Sequence, residues 1–70
     1  MKSGEIIKQI LKEKGLKISW LAEQLKIKNS TLSTRLNRDL KVDFTLKICK
    51  VLKISLNDVY IRYKESMKEN

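Results

Sequence analysis

The sequence predicts an all-α fold: five short helices in one domain, residues 1–70, with a tight turn between the second and third. Three observations predict it. Pro is absent and Gly occurs only twice, so little in the chain breaks a helix. Apolar residues recur at i, i+3, i+4 and i+7, as in Ile18, Leu21, Ala22 and Leu25, which is one face of a helix. Clusters of cap- and turn-type residues separate these segments, in keeping with connections of a few residues. Hydrophobic residues make up 41% of the chain, enough for a small core and too many for a disordered tail. A length of 70 residues is near the lower limit for a self-supporting core, which favours a partner subunit.

In chain order, Ser3 is the expected cap of the first helix, with Glu5 placed well for its dipole. Ile6, Ile7, Ile10 and Leu11 form its inward stripe, and Gly15 suits the left-handed residue that stops it. The second helix is predicted over roughly 18–25. Lys26, Ile27 and Lys28 break its apolar face, and Asn29, Ser30 and Thr31 supply cap-type side chains. The third helix is predicted over roughly 29–37, with Leu32 and Leu36 inward and its other faces polar. Ala22, small and on the second helix, lets the third cross close by at a steep angle. Helix, three-residue turn, helix is the arrangement that places a second helix in the major groove of DNA.

Asn37-Arg38-Asp39 starts a loop, and Asp43 is the expected cap of the fourth helix. The apolar residues of that helix are Phe44, Leu46, Ile48, Cys49, Val51 and Leu52. Ser55 and Asp58 make a Ser-x-x-Asp pattern, a relative of the capping box, at the head of the fifth helix. That helix carries Leu56, Val59, Tyr60, Tyr63 and Met67 along one side.

The net charge is +8, from 16 Lys and Arg against 8 Asp and Glu, which favours a polyanionic partner. The excess is concentrated in residues 26–53, where Lys26, Lys28, Arg35, Arg38, Lys41, Lys47, Lys50 and Lys53 face only Asp39 and Asp43. Cys49 is alone and His is absent, so neither an internal disulfide nor a protein-only zinc site is expected. No His, phosphate-cradling Gly loop or nucleophile–base pair suggests catalysis, and no cofactor or small-molecule substrate is expected. No apolar run approaches a signal peptide or a membrane span, so a cytoplasmic location is the expectation.

Taken together, the chain resembles the phage repressor/Cro, or Xre-type, helix-turn-helix family from about Ile6 to Tyr60. The resemblance is carried by Leu21-Ala22, Ile27, Leu32-Ser33, the run Ile48-Cys49-Lys50-Val51-Leu52, and Ile54-Ser55-Leu56. It implies a lambda-repressor-like five-helix fold and a small DNA-binding transcriptional regulator, most simply a repressor. Members often have Gly where this chain has Lys26 and Lys53, and Gly in the region of Asn37-Arg38-Asp39. They commonly open the second helix with Gln, where this chain has Ile18, and many have an apolar residue where it has Arg35. Leu36 is expected to fill that gap.

By the same resemblance, Lys28, Asn29, Ser30, Ser33 and Thr34 are the candidate base-reading residues. Asn can pair bidentately with adenine, Lys can donate to guanine, and Ser and Thr can reach several bases. Lys17, Ser19, Arg35, Arg38 and Lys41 are the candidate phosphate contacts. The expected partners are double-stranded DNA and a second copy, bound through Tyr60, Tyr63 and Met67 of the fifth helix. A competing reading keeps the fold as a protein-interaction module, of antitoxin or anti-repressor type, that does not read DNA. Another, binding to a membrane surface, needs the apolar stripes to face lipid, and the tight Ala22 turn argues for internal packing. Trp20 is expected to pack partly against the core or to meet a partner, and Cys49 to fill a small slot.

Overall fold

A computed structural model describes residues 2–68, with the side chains of Met67 and Lys68 outside the described residues. It contains α1 (Ser3–Glu13), α2 (Ile18–Leu25), α3 (Asn29–Arg35), α4 (Val42–Leu52) and α5 (Leu56–Lys68). α2 packs on α3 and α4, while α5 closes over α1 and α4. The centre is the predicted set: Ile6, Ile7, Ile10 and Leu11 from α1, Leu21 and Ala22 from α2, and Leu32 and Leu36. Ile48, Cys49 and Leu52 from α4 and Val59 from α5 complete it. Trp20 is half-buried against this core, as is Ile18.

Three helices end in one device. Gly15, Lys26 and Lys53 stand in the left-handed region at φ 70°, 58° and 57°. In each case the next residue, Leu16, Ile27 or Ile54, donates its N–H back to a carbonyl five residues earlier, on Leu11, Ala22 and Cys49. This is the Schellman arrangement, and the apolar residue after the turn packs on the core. The two lysines thus keep a geometry that glycine adopts more cheaply, at roughly 1 kcal/mol each. The Asn37-Arg38-Asp39 segment differs, because no residue there has positive φ. Asn37 and Arg38 instead donate to Thr34 and Arg35 at 3.2 and 3.1 Å, a tightened last turn that needs no glycine.

The helix starts depart from expectation. Lys2, Lys17, Lys28 and Lys41 are the N-caps of α1 to α4, all extended and none making a side-chain cap bond. An ammonium has only donors, so it cannot accept a first-turn N–H. Ser3 is the first residue of α1 rather than its cap, because the loop after α3 claims it. Its hydroxyl accepts the Leu40 N–H at 2.6 Å, and its own N–H donates to Asp39 Oδ1 at 2.9 Å. Gly4 N–H donates to the Arg38 carbonyl at 3.0 Å, so three bonds latch the head of α1 to residues 38–40. Glu5 holds the Lys2 N–H at 3.2 Å. Asp43 likewise sits inside the first turn of α4, near its positive end, and does not cap it. Asn29 and Ser30 lie inside α3 and do not cap it either. Ser55 and Asp58 do exchange reciprocal bonds, both at 3.2 Å, as their spacing predicts.

α3 is shorter than predicted, ending at Arg35, yet Leu36 in the following turn is fully buried. On α4, Thr45 takes the buried position beside Ile48, and its hydroxyl donates to the Lys41 carbonyl at 3.0 Å. Leu46 is exposed, as are Val42, Tyr60 and Ile61. Burial pushes the Cys49 thiol above its ordinary range, with Asp58 adding to it, in keeping with an inert slot-filler. Arg62 clamps Glu13 with two bonds of 2.7 Å, joining α5 to the end of α1.

Candidate nucleic-acid interface

The fully buried Leu32 and Leu36 fix which side of α3 faces in. At 3.6 residues per turn, Ser30 and Thr34 lie on the opposite side, about 140° and 180° away. Both are exposed, and they make a short polar ridge. The Thr34 hydroxyl donates to the Ser30 carbonyl at 3.0 Å. That bond engages the hydroxyl hydrogen and leaves the oxygen free to accept. Lys28 and Asn29 are exposed at the head of the helix.

Ser33 and Thr31 are both half-buried, and they occupy opposite flanks. Ser33 lies about 80° from the Leu32–Leu36 side and Thr31 about 120°. Thr31 joins Ser30, Thr34, Arg35 and Arg38 around one shallow depression, and Ser33 does not. Sequence reasoning passed over Thr31 as a cap-type residue. Counting the helical angle from the two leucines was the signal that would have found it.

The cations gather beside this ridge. Arg35, Arg38 and Lys41 line a second cleft of about 260 Å³ with Asp39, Leu40 and Phe44. Arg35 and Arg38 border both depressions, so ridge and cleft are continuous. The Arg35 guanidinium lies over the Phe44 ring, 4.9 Å from its centroid. Among the described residues the ion pair is Arg62 with Glu13, which leaves Arg35, Arg38 and Lys41 without a carboxylate partner. Asp39, the acidic residue of the cleft, has one oxygen engaged by the Ser3 N–H. Uncompensated cations grouped along a surface in this way suit a string of phosphates.

The two candidates at the head of α2 stand apart from both depressions. Lys17 is the exposed N-cap and Ser19 is exposed in the first turn. The uncapped amides beside them offer donors to an anion. Ile18, between them, serves the core instead.

Among the described residues no group of three or more His, Cys, Asp and Glu side chains is placed to hold a metal ion. Among those residues, too, no helix is long and apolar enough to cross a membrane. In comparisons with known proteins, a family described as the Cro/C1-type HTH DNA-binding domain matches residues 7–65. No curated protein and no solved structure gave a match.

Proposed function

Because the chain belongs to the family of Cro/C1-type HTH DNA-binding domains, we propose that it binds duplex DNA sequence-specifically by seating α3 in the major groove. It acts there as a small transcriptional regulator, in the sense of a repressor. The single observation that carries this reading is the polar ridge of Ser30 and Thr34. Two buried leucines brace it from beneath, and Arg35 and Arg38, neither paired with a carboxylate, flank it.

In this reading Lys28, Asn29, Ser30 and Thr34 meet base edges. Asn29 has both an acceptor and a donor for adenine, and Lys28 suits guanine. Ser33, half-withdrawn toward the core, reads from the margin, and Thr31 takes a place on the opposite flank. Arg35, Arg38 and Lys41 hold the backbone on one side, and Lys17 and Ser19 hold it at the head of α2. First-turn amides of α2 and α4, which no side chain caps, add to that grip.

The active unit in this proposal is a two-fold dimer, with recognition helices one turn of DNA, ~34 Å, apart. Exposed Tyr60 and half-buried Tyr63, side by side on α5, support that arrangement. Selection from random duplex DNA at two salt concentrations tests the whole reading. Enrichment of a palindrome is expected. Binding without enrichment leaves only the electrostatic part, and no binding at low salt favours a protein-interaction module. Sedimentation of Tyr60→Glu tests the α5 contact: a dimer that survives unchanged excludes it.

A further inference from the structure

Two arginines in this protein are fixed in opposite ways. Arg62 is held by the edge of its guanidinium, with both terminal nitrogens donating to Glu13 at 2.7 Å. The Arg35 guanidinium instead lies over the Phe44 ring, its central carbon 4.9 Å from the ring centroid. The difference is chemical. A guanidinium carries its five N–H donors in its plane and is attracted to an aromatic ring through the flat side. Edge-on pairing engages both terminal nitrogens. Stacking fixes the group and leaves every donor available to a bidentate oxyanion such as phosphate.

The ring itself is anchored. Phe44 stands in the first turn of α4 and is half-buried against the core. Arg35 is the last residue of α3, on a side chain that is otherwise long and free to turn. Arg38 and Lys41 line the same cleft, so the stacked guanidinium sits as one of three neighbouring cations. Asp39, the remaining charged group there, is oriented by the Ser3 N–H and forms no ion pair with Arg35.

We propose that Phe44 is a positioning residue for DNA binding: it holds Arg35 by its face so that the guanidinium edge meets a backbone phosphate already oriented. This rests on the reading that α3 docks on duplex DNA, and it adds to that reading a residue that touches no DNA. Removing the ring frees Arg35 to wander, and the rotamer freedom lost on binding then opposes affinity.

The test is a double-substitution cycle on the full chain, using a duplex that wild type binds, titrated across salt. Phe44→Leu is expected to weaken binding about three- to fivefold, in line with an exposed cation–π contact. Phe44→Tyr is expected to keep wild-type affinity. In an Arg35→Gln background, Phe44→Leu should cost nothing more. A loss from Phe44→Leu that persists in that background overturns the proposal, as does a loss shared equally by Phe44→Tyr. A second measurement needs neither DNA nor a substitution. In free wild-type protein the Arg35 Hδ resonances should be shifted upfield by the ring, and unshifted values overturn it. Absence of any duplex binding by wild type is a separate result, which removes the parent reading first.

Discussion

Gly4→Ala offers a test in which two physical arguments give opposite signs. Gly4 is the second residue of α1, buried, with helical neighbours on both sides. Helix propensity alone predicts that Ala stabilises such a position by up to about 1 kcal/mol. The packing predicts the reverse. A Cβ at Gly4 would overlap the carbonyl oxygens of Leu36 and Arg38. Both are backbone atoms, and the second is the acceptor of the Gly4 N–H at 3.0 Å. The methyl has no flexible neighbour to push aside, so α1 and the loop must separate. Overpacking of this kind costs about 1–3 kcal/mol. Separation also strains the two bonds between Ser3 and residues 39–40, each worth about 0.5–1.5 kcal/mol. Set against the propensity gain, a net loss of about 1–5 kcal/mol is expected. In a domain of this size that lowers the melting temperature by at least about 4 °C. Thermal and urea unfolding of the two proteins at one pH would measure it. A melting temperature equal to or above that of wild type would refute the reasoning, because it would mean that helix and loop part at no cost.

Asn29→Ala should weaken a preferred operator by about 1–3 kcal/mol and leave random duplex nearly unaffected, as competition titrations at fixed salt would show. Arg38→Ala should weaken all duplexes alike and flatten the plot of log affinity against log salt by about one unit. Lys26→Gly and Lys53→Gly should each stabilise the fold, by up to about 1 kcal/mol, because both residues stand at positive φ; urea midpoints check this. The hydrogen bond from Arg62 holds the Glu13 carboxyl below its ordinary range, against a small opposing effect of burial. A depressed carboxylate stabilises the fold above its unfolded pKa and loses that contribution as pH falls through the folded one. Arg62→Ala should therefore narrow the stability difference between neutral and acidic pH, and its effect should fade in acid.

Much of the architecture was legible because it is periodic. Leu21 and Ala22, and Leu32 and Leu36, report the crossing of two helices through spacing alone, and Gly15 reports a left-handed stop. What escaped was set partly by a partner distant in sequence and partly by where a helix begins. Ser3 has every local mark of a cap, yet its hydroxyl serves Leu40, 37 residues on. Asp43 has the same marks, but the helix is entered at Lys41, two residues earlier than a capping Asp43 would need. On α4, Leu46 is among the apolar residues yet is exposed, while Thr45 can be buried because its hydroxyl donates to the carbonyl of Lys41, the N-cap of the helix. The ridge of α3 was legible by the helical angle, which also separates Thr31 from Ser33. The stacking of Arg35 on Phe44 was not, because it joins two helices whose relative placement no local pattern encodes.

The lysines that open α1 to α4 bear on any attempt to toughen this protein. An engineer would replace them with Ser or Asp, whose oxygens close off the first turn and typically contribute about 1 kcal/mol each. Under the proposed docking, the gain at Lys17 and Lys41 would come at the expense of DNA binding. The new oxygen would occupy the place proposed for a phosphate, and Asp would also turn attraction into repulsion. A sturdier variant made this way should therefore be a poorer ligand for duplex, and the loose helix heads are a concession to the guest.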